Sequence, residues 1–283
     1  GGWARKGEGQ YIGSARALKP WLDLSIDSLI GVGTHLKYFI EDGGIFYDIT
    51  PIRHTTAAGD VTFSASTGST VITATDTNHE AREGDFVTFT GAASLGGVIT
   101  ADVLNQEYQI TTVPSSNTYT FNARTANTPI NTYYANGAVD DTSARIAANS
   151  SDTNTGGSSA VAAYQVQTGV DTSVFGNGWG AGAWSRASWS QKAQLSVLSE
   201  IMRLWTHDTF GEDLIFNVKD GPIFYWDTSS STGNRAIYLT ALTGASNAPT
   251  VAKQVMVSDV DRHCIAFGTN PIGSNIQDPL LIR

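Results

Sequence analysis

Along most of this chain apolar and polar residues alternate with a period of two, the spacing that sets one face of a β-strand on a core and the other in water. Short runs of this kind recur at Val61-Thr62-Phe63, Thr70 to Ala74, Asp85 to Thr90, Glu107 to Val113 and Thr118 to Phe121. Gly68, Gly84, Gly96-Gly97 and Ser115-Ser116-Asn117 punctuate them. Strands this short, with a turn signal between each, predict a small β-sandwich or barrel over residues 54–150. Trp21-Leu22-Asp23-Leu24-Ser25-Ile26-Asp27 alternates in the same way and predicts another strand.

Two aromatic-rich runs flank Asp42-Gly43, and an Asp-Gly between apolar strands is a strong hairpin signal. Residues 35–50 are therefore predicted to form a β-hairpin. The construction returns at Asp213 to Asp227 around Asp220-Gly221, and residues 42–47 match residues 220–225 except that Gly44 is replaced by Pro222. Two copies suggest a repeated unit such as a propeller blade, in which four-stranded sheets share an axis. A third unit is expected to begin at Arg262 to Gly268 and return through Pro279 to Ile282, about one blade repeat beyond the second hairpin.

The predicted fold class is thus mostly β, with incomplete propeller-like blades and an inserted β-sandwich or barrel. Its expected parts are first strands and hairpin over 1–53, the inserted domain over 54–150, a Gly/Ser/Trp-rich linker and loop over 151–192, and further blades over 193–283. The polar stretch Asn149 to Ser159 reads as flexible loop. Apolar positions 195, 198, 201, 202 and 205 predict one helix, Ala193 to Trp205, although Leu195-Ser196-Val197-Leu198 also suits a strand. The opening Gly1-Gly2-Trp3 and the strand-like close at Asp278 to Arg283 lead us to expect a piece of a longer polypeptide.

Composition sharpens this picture by exclusion. Charged residues make up 15% of the chain and Cys264 is the single cysteine, so intrachain disulfides and multi-cysteine zinc sites are ruled out. No run approaches the roughly 18 apolar residues of a membrane-spanning helix. The formal charge of −9 argues against a sequence-independent grip on DNA, which depends on Lys and Arg meeting phosphates. It suits a surface past which DNA slides without adhering.

Catalytic motifs are not apparent. His263 and Cys264 are neighbours that point to opposite faces of a strand, so a small core cysteine is expected. Gly176 to Trp184 echoes a dinucleotide-binding loop but lacks the preceding strand and following helix. Asp76, Asn78 and Glu80 could hold calcium but lack the rest of an EF-hand loop, which leaves a polar turn. The Asn149-Ser150-Ser151 sequon matters only in a secretory pathway. No catalytic residue, cofactor or metal is expected.

The aromatics carry more meaning. Trp179, Trp184 and Trp189 recur every five residues and, with Trp205 and Trp226, are candidate core or subunit-contact anchors, with sugar stacking as the lesser reading. A carbohydrate-binding β protein of a virion, or a secreted adhesin, is the competing function, with weak glycosidase activity as its enzymatic extension. It would need two carboxylates across a Trp-lined cleft, and Asp208, Glu212 and Asp213 are the nameable ones.

Four stretches carry a resemblance: LKYFIEDGGIFYDITPIR (36–53), GDFVTFTGAASLGGVITADVLNQEYQI (84–110), LWTHDTFGEDLIFNVKDGPIFYWD (204–227) and VSDVDRHCIAFGTNPIGSNIQDPLLIR (257–283), about a third of the chain. Together they resemble large tail proteins of tailed phages, a family similar in architecture to the nozzle, or tail tubular protein B, of short-tailed phages. The resemblance implies a non-enzymatic virion protein with propeller blades. It implies a hexameric ring of copies, contact with the adaptor and other tail proteins, and double-stranded DNA passing through the bore without sequence-specific binding.

Overall fold

The computed structural model describes residues 9–126, 144–169, 202–258 and 260–283. Trp179, Trp184 and Trp189, the Gly176 to Trp184 loop and most of the expected helix lie outside these residues. The fold is mostly β, in several small antiparallel sheets. Among the described residues the α-helix is a single turn, α1 (Ala101–Leu104), capped by Thr100, whose Oγ1 accepts from the Val103 amide. None of the described helical residues is long and apolar enough a run to cross a membrane, which says nothing about crossing by strands.

The first sheet is a four-stranded meander, β1 (Ala15–Leu22), β2 (Ser28–Thr34), β3 (Tyr38–Asp42) and β4 (Ile45–Asp48), paired in that order. Side-chain alternation gives it two apolar faces. Leu29, Tyr38 and Ile40 point forward into one core, while Val32 and Phe39 point back into another with Ile12, Leu36 and Phe86. The predicted strand over residues 21–27 is half realised: β1 ends at Leu22, and Asp23 turns the chain by accepting the Asp27 amide on Oδ1 at 2.8 Å. A short acceptor side chain competes with the sheet ladder at that position.

The chain then enters a sandwich through β5 (Ile52–Thr55), β6 (Thr62–Ala65), β7 (Val71–Thr75), β8 (Phe86–Thr90), β9 (Glu107–Gln109), β10 (Thr112–Ser115), β11 (Thr118–Asn122), β12 (Asp152–Thr155) and β13 (Val161–Gln165). One sheet runs β10-β11-β7-β6-β12 and the other β5-β13-β8-β9. Phe63, Phe89, Tyr108, Tyr119 and Phe121 fill the space between them. Two expectations are corrected here. The run Glu107 to Val113 is two strands in different sheets, because the chain bends at Ile110, whose amide donates to Asp85 O before the Thr111 amide turns to Thr120 O. The stretch read as linker supplies the polar β12 and also β13, where Ala162 and Tyr164, with Ala160 just before the strand, are buried in the same core. Small alanines make an inward-facing strand look like a polar loop.

After residue 201 a second meander forms: β14 (Trp205–Phe210), β15 (Asp213–Val218), β16 (Ile223–Trp226) and β17 (Ile237–Tyr238). Trp205 thus opens a strand instead of closing a helix, and Met202 to Leu204 have no regular structure. Leu214, Phe216, Phe224 and Trp226 face the first sheet across a shared core. Ile215 and Ile223 face the other way, onto β18 (Gln254–Val257) and β19 (Cys264–Phe267). The chain returns along β19, where Ala266 and Arg283 exchange both backbone hydrogen bonds. Three antiparallel layers are therefore stacked face to face.

The repeated Asp-Gly segment does not occupy equivalent strands. It joins the third and fourth strands of the first meander but the second and third of the next. Asp42 pairs with Ile45 across the two-residue turn Gly43-Gly44, with φ of +59° and +93°. In the later copy Asn217 pairs with Ile223, leaving a five-residue turn in which Asp220 takes φ +59° and the Gly221 amide donates to Val218 O. Pro222 accounts for the difference, since it cannot supply the amide or the positive φ that Gly44 supplies.

Candidate functional site

Chemically active side chains gather at the seams between sheets. The densest gathering is where β3, β4, β8, β9 and the segment before β17 meet. Lys37, whose side chain is fully buried, donates to Asp48 Oδ2 at 2.6 Å and to Glu107 Oε1. Arg235 closes the ring, with Nη1 3.3 Å from Asp48 Oδ2 and Nη2 3.2 Å from Glu107 Oε2. It also donates to the Thr50 carbonyl, and the Lys37 ammonium lies 4.5 Å from the centre of the Phe86 ring. Two cations and two anions balance. Burial alone would raise the Asp48 carboxyl, but the Lys37 and Arg235 charges outweigh it and hold that group far below the usual carboxylate range.

A second seam joins the two meanders. His207 on β14 meets Tyr38 on β3, with Nδ1 2.6 Å from the phenol oxygen, and a backbone hydrogen bond to Leu18 holds the imidazole on β1. Burial pushes the Tyr38 phenol well above its ordinary range, so it meets the imidazole as an uncharged hydroxyl. Burial first, and the Lys19 charge second, bring His207 down from 6.5 to about 4. Trp205 donates from Nε1 to Thr34 O at 2.7 Å, and its ring occupies the notch above Gly33.

The carboxylates nominated from sequence are engaged in structural bonds. Asp208 pairs with Lys19 at 2.7 Å and accepts the Val257 amide, tying β1, β14 and β18 together. Asp213 accepts from the Tyr225 hydroxyl and the Thr228 amide. Glu212 accepts the Leu24 amide, and its carbonyl accepts Trp21 Nε1. Trp205 and Trp226 are buried between the meanders, where neither can present a ring face to a sugar. Cys264 is half-buried, and burial raises its thiol. Asp76 is buried and accepts from Tyr164 while Glu80 is exposed, so these side chains do not converge, and no group of described residues is placed to hold a metal ion.

Sequence reading missed Lys37, Glu107 and Arg235, which lie at widely separated positions and whose meeting leaves no local signature. The one available signal was a lysine inside an aromatic strand run, Leu36-Lys37-Tyr38-Phe39, where a charge requires a partner.

Comparison with known proteins adds little. No family model and no curated protein matches the chain. Among solved structures, a phage phi92 endosialidase aligns at 12% identity with a TM-score of 0.26, over 92% of this chain. The chain spans 34% of that protein's length. A superposition this loose bears on neither the fold nor the chemistry of this chain.

Proposed function

We propose that this chain is a structural component of a tailed-phage tail, built to assemble with copies of itself and with neighbouring tail proteins around a passage for DNA. One observation carries the reading. The stretches that resemble tail proteins contain Asp48, Phe86, Glu107, Trp205, His207 and Asp208, and these are the side chains that join sheet to sheet. Lys37 lies in the first of them. The resemblance thus includes contacts that give rigidity. The carboxylates best suited to acid–base work are already occupied by amides, a phenol and a lysine, which supports a non-catalytic role.

Charge supports the passage. A ring of chains each carrying −9 presents an anionic surface, and like charge keeps a duplex from adhering as it moves. Native mass spectrometry of the purified chain, with its mobility beside linear duplex DNA at low salt, tests this. A closed oligomer that leaves the duplex unretarded is expected. A persistent monomer that hydrolyses a glycan or retains DNA would overturn the proposal.

A further inference from the structure

The end of β1 and the turn that follows it present three large aliphatic side chains to solvent. Leu22, Leu24 and Ile26 are 60%, 83% and 78% exposed and lie within five residues of one another. Exposed aliphatics that are contiguous, rather than scattered singly, mark interaction surfaces. The loop is also held in shape. The Asp23 and Asp27 backbones are joined, the Ile26 amide donates to Asp23 O, and the Leu24 amide is fixed to Glu212 Oε2 on the β14–β15 turn. Ile26 adopts φ +68°, a left-handed conformation that strains a β-branched residue. Glycine or asparagine would satisfy the backbone there without strain.

Beside the loop lies a cleft of about 320 Å³ whose far wall carries Phe210, Glu212, Asp213 and Arg262. Asp23, Asp27, Glu212 and Asp213 set four carboxylates around the aliphatic tip against one guanidinium, a local balance of −3. The neighbouring Lys19 is neutralised by Asp208.

We propose that this turn is a docking prong for a different protein, one whose surface offers an apolar socket rimmed by lysine or arginine. Charge complementarity selects that occupant. Prong against prong across a two-fold axis would set the same carboxylates together, whereas a basic rim meets the carboxylates while its socket takes Leu24 and Ile26. The inference stands apart from the tail reading, since it requires only this surface.

The test uses the full chain and two synthetic amphipathic helical peptides with the same leucine face, one flanked by lysines and its twin by glutamates. Fluorescence anisotropy is expected to register binding of the lysine peptide that weakens with added salt, and none of the glutamate twin. The double variant Leu24→Ser/Ile26→Gly removes the aliphatic tip and the strained φ together. It is expected to lose about tenfold or more in affinity with an unchanged or raised Tm. Equal binding of both peptides, or undiminished binding by the variant, overturns the proposal. So does sedimentation showing that the variant has lost a self-association the parent possesses, which would assign the prong to a second copy.

Discussion

At the scale of single residues, the chemistry of this protein is that of groups held in one protonation state. His207 is the clearest case, because its Nδ1 is hydrogen-bonded to the Tyr38 hydroxyl and burial keeps the ring neutral down to about pH 4. In the unfolded chain the same imidazole titrates near 6.5. Between those values the unfolded state binds the extra proton, so stability contributed by His207 is complete above about pH 6.5 and drains away as pH falls towards 4. The shift corresponds to roughly 3 kcal/mol across that window. Urea denaturation at pH 7.5 and pH 4.5 is expected to give a smaller loss of stability for His207→Gln than for the parent. An equal loss in both would place the acid sensitivity elsewhere. Asp48 adds a separate window: its depressed carboxyl contributes above the unfolded value near 3.9, and that contribution disappears only in stronger acid.

At the scale of elements, close approach of the sheets depends on what β2 lacks. Gly31 and Gly33 sit on the face turned towards the second meander, where a β-carbon would lie 2.6 Å from the Tyr38 hydroxyl oxygen and 2.5 Å from Trp205 Cδ1. Glycine in a strand interior weakens the strand itself, and here it lets two large rings seat against the backbone. Gly33→Ala is expected to cost about 1–3 kcal/mol by overpacking. A lower urea midpoint, with red-shifted tryptophan emission as Trp205 leaves its notch, is the expected readout. Period-two patterning made most strands legible, from β6 through β11 and around both Asp-Gly turns. It did not reveal β12, which is polar at every position, or β13, whose alanines carry no contrast, nor the bend at Ile110, where both halves keep alternating while the chain changes sheets. The end of the expected helix failed for a related reason: Leu204-Trp205 fits either period until a partner strand is known, and β15 is that partner.

At the scale of the whole molecule, the sandwich and the stacked meanders are coupled through one balanced group of charges. Removing a single member of a buried ion cluster leaves its partner charged and unpaired, which typically costs about 3–5 kcal/mol. Lys37→Met is therefore expected to destabilise the chain by that amount in urea denaturation, with Asp48 and Glu107 left to share Arg235. A loss under about 1 kcal/mol would mean that the sheets are held by their apolar faces alone. The sequence by itself determined the β class, both hairpins, the acidic balance and the absence of an intrachain disulfide, because alternation, turn chemistry and composition are local properties that survive in any arrangement of the strands. Only the tertiary structure decided that the two copies of the Asp-Gly segment fall on different strands of their sheets, that Lys37 meets Glu107 and Arg235, and that Asp208 serves β18. Those outcomes depend on which faces are brought together across long stretches of chain, and pairing at that distance is chosen by packing and charge neutralisation rather than by any spacing along the backbone.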